Sequence, residues 1–156
     1  MSRSHSFIIT LSNNITEKAG VKYLLENHIG FFLPSKESKK TILSLLGLEI
    51  KFQKSFDLVF IPSLDVDVLS DHLINTNFEE LILIELKTTM KYLPNNPKGF
   101  FFGATENEFE FARQLGDKFR FCFVSLHENS KSFSLLTLSE LEAIIRNKRI
   151  QYQINL

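Results

Sequence analysis

Only one cysteine, Cys122, stands in the chain, so no disulfide within it can brace the fold. It sits in Arg120-Phe121-Cys122-Phe123-Val124, a strand-like setting that reads as a buried, inert thiol and not as a nucleophile. Tryptophan is absent and tyrosine numbers three, whereas phenylalanine numbers 16. Nearly all the aromatic volume therefore lacks a polar group in need of a partner, which suits core packing. No apolar run approaches the ~18 residues of a membrane span, and the N-terminus has no apolar h-region, so a cytoplasmic protein with no membrane partner is expected. The four histidines, His5, His28, His72 and His127, lack the paired spacing of zinc sites. There is no internal repeat or low-complexity tract.

Net charge is also missing: 18 Lys and Arg balance 18 Asp and Glu. Zero net charge at first argues against a nucleic-acid partner, but the charges are unevenly placed. Residues 1–54 carry eight bases and four acids, and residues 55–80 carry six acids and no base. Residues 81–99 carry three lysines and one glutamate, and residues 100–156 balance at seven each. A basic first third is thus followed by an acidic insert. With 156 residues, 44% of them hydrophobic, a single domain over residues 1–156 with a real core is expected.

Patterning predicts a helix from about Glu17 to Asn27, capped by Thr16 or Asn14, and a second from Lys39 to Leu46 stopped by Gly47. Strands are predicted over 48–52 and over Phe56–Ile61, the latter ended by Pro62. The acidic stretch 64–80 reads as a solvated excursion or short helix, since it lacks the glycine turn and ligand spacing of a calcium loop. A turn-rich loop over 91–99 follows, then Thr105-Glu106-Asn107-Glu108, a capping-box-like entry to a helix ending near Leu115. Strands over 119–126 and 133–137, a helix capped by Ser139 and running to about Asn147, and an edge strand over 150–154 complete the expectation. Arg146-Asn147-Lys148-Arg149 reads as cations at the negative end of that last helix, with DNA binding as the alternative.

The most apolar strand-like run ends in charge: Leu81-Ile82-Leu83-Ile84-Glu85-Leu86-Lys87-Thr88-Thr89. Alternation puts Glu85 and Lys87 on the face of Leu81 and Leu83, where an unpaired charge would cost several kcal/mol. Asp57 starts the preceding buried strand and shares a face with Val59 and Ile61. Two hard carboxylate oxygens from neighbouring strands, with the Leu86 carbonyl between them, can hold Mg²⁺, with Mn²⁺ as a substitute. Such an ion stabilises phosphoryl charge and lowers the pKa of a bound water. Lys87 is expected to position that nucleophile, with general-base work as the alternative. The bland reading of Glu-x-Lys on a strand is an exposed ion pair; the aliphatic run, the Asp-bearing strand and the Thr-Glu-Asn-Glu helix entry weigh against it.

Phe56-Asp57-Leu58-Val59, Ile84-Glu85-Leu86-Lys87-Thr88-Thr89 and Thr105-Glu106-Asn107-Glu108 with Ala112, followed by the strand from Phe119 to Ser125, resemble the PD-(D/E)XK nuclease superfamily. The resemblance covers about residues 48–126, taken as the catalytic core. It is nearest to small restriction-type domains, including the cleavage subunits of heterodimeric type IIS restriction endonucleases. It implies an α/β, restriction-endonuclease-like fold, a central mixed sheet flanked by helices, and a Mg²⁺-dependent endodeoxyribonuclease. Phe56 stands where the eponymous proline would be, a departure common in the superfamily. The long gap from Asp57 to Glu85 requires the acidic insert to loop out between adjacent strands.

An acid from an amino-terminal helix often joins such sites, which makes Glu17 a candidate and Glu26 a second. Glu108 either orients Lys87 or a metal-bound water, or faces its helix dipole. Lys91 and Lys98 flank the loop after the active strand and are candidate phosphate contacts on double-stranded DNA. Little chain is left to read a DNA sequence, so a homodimer or a larger DNA-recognising subunit is the expected partner. The Phe-rich loop could join that interface, although core packing is the first expectation for Phe100 to Phe102. The rival from another class is a nuclease-fold binding or assembly module without turnover. A metal-dependent RNA or repair nuclease is a third reading.

Overall fold

In a computed structural model of the protein, the backbone is described for residues 2–156 and the side chains for residues 15–156. The elements run α1 (Ser2–Asn27), β1 (Phe31–Phe32), α2 (Lys36–Leu46), a 3₁₀ turn (Ile50–Lys54), β2 (Leu58–Phe60), α3 (Asp71–Thr76), β3 (Ile82–Thr89), α4 (Glu106–Leu115), a second 3₁₀ turn (Gly116–Lys118), β4 (Phe119–Ser125), β5 (Ser132–Leu136) and α5 (Leu138–Ile144). The strands form one sheet in the order β1-β2-β3-β4-β5. Every pairing is antiparallel except that of β3 with β4, which is parallel because α4 carries the chain back across the sheet. This is the expected α/β architecture of a mixed central sheet flanked by helices.

Strand alternation splits the core in two. On one face Leu81, Leu83, Val59 and Ile61 pack with Phe119, Phe121 and Phe123, under α2, α4 and α5. On the other, Leu58, Ile84, Leu86, Cys122 and Val124 pack under Leu24 of α1. Cys122 is buried, as its setting implied, and burial pushes its thiol well up. Phenylalanine dominates the first face, where Phe111 stacks on Phe52 and Phe56 at 4.8 and 5.8 Å between ring centroids and meets Phe119 edge-on at 5.5 Å. Such aromatic pairs add to plain area burial.

Local chemistry fixes the helix ends. Ser35 caps α2 by accepting from the Ser38 amide, and Gly47 ends it at φ 68°, a left-handed conformation that favours glycine. Thr105 and Glu108 form the capping box of α4, which ends at Leu115 as predicted. The acidic stretch does loop out between β2 and β3, with only α3 in it.

Several expectations fail. Residues 48–52 form no strand: Phe52 is buried in the core with Leu48 packed against it, Ile50 is exposed, and the backbone closes into the 3₁₀ turn. α1 is continuous through residues 14–17, so neither Thr16 nor Asn14 starts it, and the side chain of Asn14, like that of His5, lies outside the described residues. α5 is capped by Thr137, with Glu140 completing the box, two residues before the expected Ser139. It ends at Ile144, so the Arg146–Arg149 cluster lies past its last turn and does not serve its dipole. Residues 150–154 are not a strand; Ile150, Tyr152 and Ile154 alternate but find no ladder partner and stay exposed.

Gly20 sets how closely α1 approaches β3. A Cβ there would sit 2.6 Å from Thr88 Oγ1 and 3.0 Å from Thr88 Cγ2. Gly20→Ala should therefore destabilise the fold by about 1–3 kcal/mol, the usual range for overpacking. At an open helix position the same change would stabilise by up to about 1 kcal/mol. Thermal unfolding should show a lowered Tm, partly restored by adding Thr88→Ala; a raised Tm for Gly20→Ala would show that α1 does not pack this closely.

Candidate functional site

The β2–β3 register pairs Leu58 with Ile84 and Val59 with Leu83. Extended by one position, it places Asp57 opposite Glu85, and the backbone makes that position firm. The Asp57 amide donates to the Ile84 carbonyl at 2.7 Å, and the Leu86 amide donates to Asp57 Oδ2 at 2.8 Å. The N–H and C=O of one strand residue point to the same side, so the Leu86 carbonyl also faces the Asp57 side of β3.

Lys87 lies two residues on, on the same face. Its Nζ is 3.1 Å from Glu85 Oε1 and 2.6 Å from Glu108 Oε1. The other Glu108 oxygen accepts from the Thr105 amide. One carboxylate thus closes the capping box of α4 and grips Lys87, and the two roles read as alternatives in the sequence hold together. β4 supplies the wall: Glu85 pairs with Phe121 and Lys87 with Phe123 in register, and the Phe102 ring centroid is 5.9 Å from Lys87 Nζ.

Those rings govern the electrostatics. Glu85 is only 7% exposed, and this burial raises its carboxyl well above the ordinary range, with the Asp57 charge adding in the same direction. Its Oε2 is buried with no N–H donor directed at it, and a carboxyl–carboxyl hydrogen bond with Glu108 raises Glu85 further. Burial works to lower Lys87, but the Glu85 and Glu108 carboxylates outweigh it and the ammonium is held above its usual value. Burial acts to raise Glu108, yet hydrogen bonds with the Glu85 carboxyl and with Lys87, and then the Lys87 charge, bring it down to about 2.

Glu17 joins the group from α1, one helical turn before Gly20. Partial burial, the Asp57 charge and a carboxyl–carboxyl hydrogen bond with Asp57 raise it above the ordinary range. Glu26 does not join; it is exposed and lies 3.9 Å from Lys22 on the same helix. Lys39 of α2 was not among the expected residues. Its Nζ donates to the carbonyls of Phe56 at 2.8 Å and Gln53 at 3.1 Å, pinning the backbone beside Asp57. Burial lowers its pKa, opposed by the charges of Asp57, Glu85 and Glu17. The sequence held a signal: Lys39 precedes the buried Ile42 and Leu43 by three and four residues, on the apolar stripe of its helix.

Lys91 and Lys98 are exposed on the loop between β3 and α4, outside this cluster. A cleft of about 350 Å³ lined by Glu17, Lys18, Val21 and Leu33 opens at the α1 side. The larger depression, about 620 Å³ between Asn75 and Glu80, contains none of the site residues.

Among the described residues no group of three or more His, Cys, Asp or Glu side chains is arranged to hold a metal ion. The expected ligand set is smaller, two carboxylates and a backbone carbonyl, and the site fits it. Glu85 Oε2 is buried with no N–H donor directed at it, and the Asp57 charge works against the ionised Glu85. A cation with oxygen ligands would relieve both.

The family model described as Protein NO VEIN, C-terminal, a domain associated with PD-(D/E)XK-like nuclease proteins, matches residues 62–137, just under half of the chain. The match takes in Glu85, Leu86, Lys87 and Glu108 and stops short of Glu17, Lys39 and Asp57 on the amino-terminal side. No curated protein and no solved structure gives a significant match. Among the described residues no helix is long and apolar enough to cross a membrane.

The two glutamates should respond to pH in opposite senses. Glu85 is raised in the fold, so its contribution is most favourable below the ordinary carboxylate value of about 4.3 and is lost as pH rises toward the raised value. Glu85→Gln keeps an oxygen for Lys87 but cannot ionise, and without metal it should melt a few degrees above the parent at pH 7, the gap closing below about pH 4. Glu108 is depressed, so its contribution is present at neutral pH and fades as pH falls toward about 2. Glu108→Gln should melt lower at pH 7, with the difference shrinking in acid. Melting curves from pH 3 to 8 that show the same sign for both variants would contradict this assignment.

Proposed function

We propose that the protein is a divalent-metal-dependent nuclease domain that hydrolyses phosphodiester bonds of double-stranded DNA. One observation carries this reading. Asp57 and Glu85 face each other on neighbouring strands with Lys87 on the same face, and Glu85 Oε2 is buried with no N–H donor directed at it. A bound Mg²⁺, or Mn²⁺ in its place, would be held by Asp57, Glu85 and the Leu86 carbonyl, and would supply phosphoryl charge stabilisation and a water of lowered pKa.

The protein's own groups do the rest. Lys87, kept protonated by two carboxylates, is suited to orient the attacking water or a phosphate oxygen, and a raised pKa makes it a poor general base at neutral pH. Glu108 fixes the direction of that ammonium. Lys39 holds the Phe56 carbonyl and thereby the start of β2, and Glu17 adds a carboxylate on the α1 side. Lys91 and Lys98, exposed on the loop between β3 and α4, would contact the DNA backbone without reading sequence. By its resemblance to restriction-type cleavage domains, sequence recognition belongs to a second copy or to a larger DNA-recognising subunit.

A rival has its own support: Lys87 already has two carboxylate partners, Glu85 and Glu108, as a purely structural ion triad would. Incubation with supercoiled plasmid separates the two. The nuclease reading expects nicking with Mg²⁺ and none with EDTA, and a fall of roughly 10²-fold or more for Lys87→Ala and Asp57→Asn with the fold intact by circular dichroism. DNA binding without nicking, with or without candidate partner subunits, would make the protein an assembly module. Preferential cleavage of RNA competitor would reassign the substrate.

A further inference from the structure

Phe101 has the most exposed aromatic side chain among the described residues, at 93%. It lies on the loop between β3 and α4, and that loop is well anchored. Asn96 Nδ2 donates to the Phe123 carbonyl at 2.9 Å, the Leu93 amide donates to Ser130 Oγ at 3.0 Å, and Ser125 Oγ donates to the Lys91 carbonyl at 3.1 Å. Phe100 and Phe102 both turn inward onto Phe123, each with ring centroids 5.0 Å from it. With both neighbours half-buried against the core, Phe101 is presented outward on a firm base. Phe102 also flanks Lys87, so the protruding ring is one residue from a side chain of the proposed active site.

The charge of this segment selects among partners. Between Glu85 and Glu106 the chain has Lys87, Lys91 and Lys98 and no Asp or Glu. Tyr92, on the same loop, is also exposed. Lysine is depleted at protein–protein interfaces. Lysines interleaved with exposed aromatic rings, in a segment without acids, suit a polyanion that offers flat apolar faces: the backbone is drawn in by charge and the bases stack.

We infer that Phe101 is a base-stacking contact that docks DNA beside the Lys87 site. The inference rests on the nuclease reading and adds a binding residue to it. An aromatic ring that stacks on a base or wedges between two holds the strand by a contact every base can make, so it adds affinity and position without sequence preference.

The absence of tryptophan makes a direct test possible, because Phe101→Trp introduces the sole indole. Duplex and single-stranded oligonucleotides are titrated into this variant with Ca²⁺ replacing Mg²⁺, and separately with EDTA, while heparin controls for plain charge attraction. Saturable quenching by DNA but not by heparin is expected, along with a Kd about tenfold or more weaker for Phe101→Ala and largely retained for Phe101→Tyr. Unchanged DNA affinity in Phe101→Ala, an indole that ignores DNA, equal quenching by heparin, or a signal that follows protein concentration alone would each overturn the inference. If the parent nicks plasmid while the indole stays silent, stacking falls and the nuclease reading stands. If DNA quenches the indole but nothing is ever nicked, the reverse holds.

Discussion

Two carboxylates confront each other across neighbouring strands against a wall of phenylalanine, and the rest of the site follows from that confrontation. Like charges directly opposite in a sheet are destabilising, and burial of Glu85 beside Phe121 sharpens the effect by removing water. A sequence selected for stability alone would place an aliphatic at position 85, as it does at 81 and 83. Lys87 offsets part of the charge through Glu85 Oε1, while Oε2 stays buried with no N–H donor directed at it. The arrangement is a negative cage partly neutralised from one side, which is what a site for a divalent cation and a phosphate requires.

The scaffold holds this arrangement with ordinary devices. Gly20 lets α1 lie close on β3 and brings Glu17 within reach of Asp57. The start of β2 is fixed from α2 by Lys39, and the start of α4 by Thr105 and Glu108. Glu108 ties helix initiation to site geometry, since one of its oxygens caps the helix and the other aims Lys87. Displacement of α4 would therefore release Lys87, and the parallel β3–β4 pair keeps Phe121 and Phe123 beside the charges meanwhile. Fold and site share the same few contacts.

Much of this was legible because it rests on short-range rules. The alternation through Leu81–Lys87 put Glu85 and Lys87 on the Leu81 and Leu83 face, and the capping box marked the start of α4. Gly47 ended α2 as expected, and the acidic insert loops out between adjacent strands. What stayed hidden depends on tertiary partners. Residues 48–52 alternate like a strand, but the chain closes into a 3₁₀ turn from which Phe52 packs on Phe111. Ile150, Tyr152 and Ile154 show the same pattern with no strand beside them. The two-residue β1 is too short to leave a periodicity. Lys39 was missed because its role depends on the Gln53 and Phe56 carbonyls, which only the folded chain brings to it.

The central claim is that Asp57 and Glu85 together form a deficit that a divalent cation fills, and Mn²⁺ titration followed by thermal unfolding tests it most directly. A ligand that binds the folded state alone raises stability by RT ln(1 + [L]/Kd), so Tm should climb with Mn²⁺ concentration in the parent protein. The climb should vanish in Asp57→Asn and in Glu85→Gln, each with a cooperative melting transition of its own. An equal rise in all three proteins, or none in the parent at millimolar Mn²⁺, would contradict the account.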